Sequence, residues 1–81
     1  LGMGEDGHTA SLFANAAGLE AAVGSLGPVA WTLPPAARHA RLTLTLPTIL
    51  AARHLLLPLL GEAKRRVFDQ ACKAPSRALP V

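Results

Sequence analysis

The densest run of reactive side chains is Gly2-Met3-Gly4-Glu5-Asp6-Gly7-His8-Thr9-Ala10-Ser11-Leu12-Phe13. Asp6 and His8 flank Gly7, and in an extended loop residues two apart project to the same side. A carboxylate beside an imidazole fixes the tautomer and raises the basicity, the arrangement a general base needs. The loop is expected to run into a short helix capped by Thr9 and ended at Gly18. Backbone N–H groups at such a helix start can face an anion or a developing oxyanion. Taken as an anonymous triplet, D-G-H reads more readily as a helix cap, Asp6, beside a surface histidine.

Gly2, Gly4 and Gly7 also satisfy the dinucleotide pattern G-x-G-x-x-G. That pattern requires a ribose-binding acid about 20 residues further on, and positions 24 to 30 hold no Asp or Glu. Glu5 and Asp6 would in addition repel a pyrophosphate, so a nucleotide site is rejected. Two local ligands are too few for a metal centre. Cys72 has no second cysteine to pair with, in a disulfide or at metal spacing, and reads as a buried helix residue in a reducing compartment.

Several elements must position these groups. Pro28 to Leu33 is read as a strand before the Pro34-Pro35 turn. Arg41 to Leu46, RLTLTL, alternates strictly and is the clearest half-buried strand. Pro47 suits the first position of a short helix through Ala52. His54 to Leu60 is read as a strand covered on both faces, although Pro58 removes a ladder donor. Gly61 opens a last helix, Glu62 to Lys73, with Ala63, Val67 and Ala71 on its apolar face and Glu62–Arg66 as an i,i+4 pair. Pro75 bars its continuation. Alternating strands and helices after a glycine-rich start imply an α/β layer fold with a mostly parallel sheet.

The 81 residues amount to one small domain or a piece of a larger one. Hydrophobic residues at 51% exclude intrinsic disorder, while charged residues at 16% fall below the usual ~25%. Opening on Leu1 instead of Met, the chain reads as an excerpt. The longest apolar run, Leu55 to Leu60, is far short of the ~20 residues that span a bilayer, so no membrane role is expected. The net charge of +3 is unevenly placed, with every base at or after Arg38. A basic second half suits anionic partners. Nucleic acid is the weaker choice, since the bases are interleaved with Leu runs and lack an aromatic platform.

LGMGEDGHTASLF resembles the signature of the 6-phosphogluconolactonase family, G-x-G-x-D-G-H-T-A-S-L-F-P, and RLTLTLP and GEAKRRVF continue the resemblance at the family's spacings. It covers nearly the whole chain, most weakly Gly18 to Ala40. The resemblance implies a portion of a three-layer α/β/α sandwich with a mainly parallel sheet, the C-terminal part of one domain over residues 1–81. It implies cytoplasmic, cofactor-free and metal-free hydrolysis of 6-phosphoglucono-δ-lactone to 6-phosphogluconate, in the pentose phosphate pathway. His8 matches the histidine that activates water, Asp6 its neighbouring acid, and Lys64 a lysine that contacts the sugar phosphate in related deaminases. Gly4 and Gly7 belong to the loop that meets the substrate, and Arg41 is a further substrate-binding candidate. A δ-lactone is an activated ester, so one base and an oxyanion site suffice. No G-x-S-x-G elbow offers a serine nucleophile.

The related glucosamine-6-phosphate deaminases place a glutamate five residues after the histidine, where this chain has Phe13, so the deaminase is disfavoured. Ala14 stands where the lactonase pattern has proline, and the family's upstream phosphate loop is not among these residues. A rival reading is a non-catalytic fragment or paralogue that binds sugar phosphates. His39, His54, Arg65, Arg66 and Lys73 read as surface residues, and Arg77 is undecided.

Overall fold

The computed structural model describes residues 1–76, and Arg77 lies outside them. The elements run α1 (Leu19–Gly24), β1 (Val29–Thr32), β2 (Arg41–Leu44), α2 (Leu46–Leu50) and α3 (Glu62–Lys73). The α/β class holds. Among the described residues the sheet has two strands, and β1 pairs with β2 antiparallel, a pairing the sequence left open. The eight residues between Thr32 and Arg41, with Pro34 and Pro35 at their start, turn the chain directly back. A parallel pairing would need a crossover of a dozen or more residues.

Alternation in β2 does mark a half-buried strand, and the buried side is the threonine side. Thr32, Thr43 and Thr45 are almost fully enclosed. On the opposite face Val29 opposes Leu44 and Trp31 opposes Leu42, all four exposed. The enclosed hydroxyls are tolerated because each is bonded: Thr32 and Thr43 to residue 11, and Thr45 to the Gly27 carbonyl at 2.7 Å.

The apolar core lies on the same, inward side of the hairpin, where Leu12, Ala16, Leu19, Ala22 and Ile49 pack together and Phe13, Val23, Ala30 and Leu46 close over them. Helix α1 joins β1 and α2 around this cluster. Thr45 precedes α2, with Leu46 in its first position and Pro47 in the second, one place later than expected.

Three expectations need correction. Residues 9–17 form no helix. Leu12 N–H bonds to Thr9 C=O at 2.9 Å and Ala16 N–H to Phe13 C=O at 3.2 Å, giving successive turns, and helix α1 follows Gly18 instead of ending at it. Thr9 is buried and bridges Met3. Ala10 and Asn15 adopt φ of 50° and 58°, which a right-handed helix excludes. Residues 54–60 form no strand, and Leu55, Leu56 and Leu60 are exposed. Pro58 offers no ladder donor, and the Leu1 amino group donates to Leu56 C=O at 2.8 Å. Cys72 is exposed, not buried. In α3 the neighbouring Ala71 takes the buried position, Val67 is half-buried and Ala63 is exposed. The Glu62–Arg66 pair forms at 3.3 Å.

Candidate active site

The Gly4–Gly7 turn builds the site locally. Gly7 N–H donates to Gly4 C=O at 3.0 Å, and Gly4 N–H donates to His8 C=O at 2.9 Å. With the Met3–Thr9 bridge these bonds make a closed hairpin whose tip holds Asp6 and His8. Gly7 takes φ of 84°, a left-handed conformation that glycine adopts without penalty. Gly4 is required for a different reason. A Cβ there would collide with Nδ1 and Cε1 of the His8 ring and stand 2.7 Å from Asp6 Oδ1. The imidazole lies directly over a bare Cα.

Across this turn His8 Nδ1 meets Asp6 Oδ1 at 2.5 Å, and the His8 amide donates to the same oxygen at 3.2 Å. The His8 side chain is 30% exposed and that of Asp6 61%. Partial burial pushes the Asp6 carboxyl up. The bonds from the His8 ring and amide, with the attraction of a charged imidazole, outweigh it and hold the group below the ordinary 3.8. Asp6 is therefore ionised at neutral pH and can only accept. In the neutral imidazole Nδ1 must carry the proton, and Nε2 is left with the lone pair.

Phe13 covers the imidazole. The two rings are stacked with centroids 4.2 Å apart and planes inclined by 27°. Arg41 from β2 places its guanidinium carbon 5.6 Å from the Phe13 centroid. Two side chains of the loop and one from β2 thus form one layered unit, and an open cleft of about 460 Å³ lies beside it. Asp6, Phe13, Arg41 and the Pro34-Pro35 turn line that cleft. His8 does not itself line the cleft; it stands behind Phe13, whose ring, with Arg41, gives the cleft an apolar wall and a cation.

Asp6, His8, Gly4 and Gly7 thus converge, and Arg41 joins them through Phe13. Lys64 sits apart. It is half-buried in the first turn of α3 and does not line the cleft. The anticipated helix start behind the loop is absent, and the amide hydrogens of Gly4 and Gly7 are used inside the turn. His39, His54, Arg65, Arg66 and Lys73 are exposed. Sequence reasoning used Phe13 only to set the deaminase aside and missed its contact with His8. An aromatic five residues after a histidine in an irregular loop carries no periodic signal that would have revealed it. Among the described residues no three His, Cys, Asp or Glu come together as a metal-binding group, and no helix is long and apolar enough to cross a membrane.

Comparison with known proteins supplies a context for this geometry. The family described as Glucosamine-6-phosphate isomerases/6-phosphogluconolactonase matches residues 1–81. A 6-phosphogluconolactonase of Neisseria meningitidis is 43% identical over the whole chain, which spans 36% of that relative. One from Pseudomonas aeruginosa is 41% identical, again over the whole chain and 35% of the relative. The crystal structure of a 6-phosphogluconolactonase from Shewanella baltica superposes on 99% of the chain with a TM-score of 0.91 and 42% identity, over 35% of its own length. The chain spans about a third of the length of these relatives. A match along every residue, at these identities and with the backbone of a solved relative, places the chain in the glucosamine-6-phosphate isomerase/6-phosphogluconolactonase family.

Proposed function

We propose that residues 1–81 form the C-terminal portion of a cytoplasmic 6-phosphogluconolactonase domain that hydrolyses 6-phosphoglucono-δ-lactone to 6-phosphogluconate in the pentose phosphate pathway. The observation that carries this reading is the 2.5 Å contact of His8 Nδ1 with Asp6 Oδ1, which leaves Nε2 as a base. Nε2 takes a proton from water as the water oxygen attacks the lactone carbonyl carbon. The imidazolium so formed is stabilised by the Asp6 carboxylate. Collapse of the tetrahedral intermediate breaks the bond to the ring oxygen, which leaves with the proton held by His8. The product acid then ionises in water. Arg41 supplies positive charge at the cleft, and Lys64 binds the substrate phosphate. Gly4 and Gly7 serve by shaping the turn on which the substrate rests. The apolar ring of Phe13 at the fifth position after His8 supports a lactonase over a deaminase, whose pattern has a glutamate there.

The test is His8→Asn in the complete domain. Loss of a general base costs about 10² to 10⁴ in rate. The loss should fall on kcat with KM little changed, since binding is carried by groups elsewhere. A variant that keeps most of its kcat removes His8 from the chemistry.

A further inference from the structure

Between the Asp6–His8 turn and the sheet, one residue is held from both ends. The Ser11 carbonyl accepts a hydrogen bond from the Thr32 hydroxyl at 2.7 Å, and the Ser11 amide donates to the Thr43 hydroxyl at 3.1 Å. Thr32 is completely enclosed and Thr43 is 5% exposed. The two lie on adjacent strands, where Thr32 opposes Arg41 and Thr43 opposes Ala30, so they are diagonal neighbours on the inward face. Their polarities are matched to the peptide between them. Thr43 Oγ1 donates its own hydrogen to Leu44 C=O at 3.0 Å, which leaves its lone pairs for the Ser11 N–H. Thr32 directs its hydrogen at the Ser11 C=O. Two side chains thereby replace the strand that would otherwise pair with Ser11.

This hold matters for His8 because of what lies between. Ala10, immediately before Ser11, has φ of 50°. A non-glycine residue in that region is strained and persists only where its surroundings over-determine it. The Met3–Thr9 bridge secures the near side of Ala10, and the two threonines secure the far side. Phe13, which stacks on the imidazole, follows Ser11 by two residues.

We propose that Thr32 and Thr43 are positioning residues for His8, acting through Ser11 to keep the imidazole registered between Asp6 and Phe13. The catalytic consequence rests on His8 being the base proposed above. The geometric consequence does not.

The experiment compares Thr32→Val and Thr43→Val, which keep shape and lose the hydroxyl, with Thr32→Ser and Thr43→Ser, which keep it, all in the complete domain. Three quantities are read: the Ser11 amide exchange rate, the ring-current shifts of the His8 ring protons under Phe13, and kcat with KM on the phosphorylated lactone. Thr43→Val should speed Ser11 exchange about tenfold or more. Both valine variants should move the His8 ring resonances and lower kcat roughly ten- to a hundredfold with KM nearly unchanged, as expected of a misplaced catalytic group. Both serine variants should retain the parental shifts and kcat. Folded valine variants with parental His8 shifts overturn the proposal, and so do serine variants that lose as much as valine. The serine arm decides if a valine variant fails to fold. A parent without lactone turnover would sink the reading of His8 as base, while the exchange rate and ring shifts would still judge the hold on Ser11.

Discussion

His8 and Phe13 face each other as stacked rings, 4.2 Å between centroids and 27° between planes. Stacked aromatic pairs are worth about 0.5–1.5 kcal/mol beyond the area they bury. That energy favours the stacked orientation of the imidazole about two- to tenfold. Phe13→Ala should therefore lower kcat by several-fold to about tenfold, while the Asp6–His8 bond survives in a looser form. Steady-state kinetics with a thermal melt separate the two effects. A parental kcat in a folded variant would show that Asp6 alone holds the ring.

Gly4→Ala tests the bare Cα beneath the imidazole. Its Cβ would press on the ring of His8 and stand 2.7 Å from Asp6 Oδ1. The collision is with side chains, so the turn can keep its backbone while the imidazole swings away. The expected outcome is a protein of near-parental stability with kcat reduced about a hundredfold, the cost of a displacement near 1 Å. A crystal structure of the variant should show the His8–Asp6 contact broken.

Asp6 makes a pH prediction with a definite sign. Its folded carboxyl titrates below the ordinary 3.8 because the bonds and charge of His8 outweigh the effect of partial burial. A depressed carboxylate contributes stability that is fully present above 3.8 and is lost as pH falls through the lower folded value. At neutral pH the pair is therefore intact, and acid loosens the turn. Carbon-13 NMR titration of the Asp6 carboxyl should give a midpoint under 3.8, and His8→Asn should raise it. A midpoint at or above the ordinary value would contradict the paired geometry.

Lys64 is proposed to hold the substrate phosphate. It lies in the first turn of α3, a 12-residue helix whose N-terminal N–H groups and dipole favour an anion. Charge-assisted hydrogen bonds contribute about 1.5–3 kcal/mol, or roughly ten- to a hundredfold in affinity. Lys64→Ala should raise KM for the phosphorylated lactone by that factor and leave the unphosphorylated lactone nearly unchanged. Equal KM values for parent and variant remove Lys64 from the phosphate site.

The features legible in the chain are those made by neighbours in sequence. The Asp6–His8 pair spans one glycine, and α3 starts after Gly61 and carries its own i,i+4 pair. Each needs only local contacts, so residue type and spacing determine it. What the tertiary structure decided comes from long-range competition. Residues 9–17 have helical composition, yet the Met3 bridge to Thr9 and the grip of Thr32 and Thr43 on Ser11 draw their backbone bonds elsewhere. Residues 54–60 have strand composition, yet a strand exists only where a neighbour accepts its ladder. The alternation of RLTLTL sets which residues share a face. Only what waits on each side, peptide groups and the core for the threonines and solvent for Leu42 and Leu44, determines which face turns inward, because burial energy depends on what a side chain meets and not on the side chain alone.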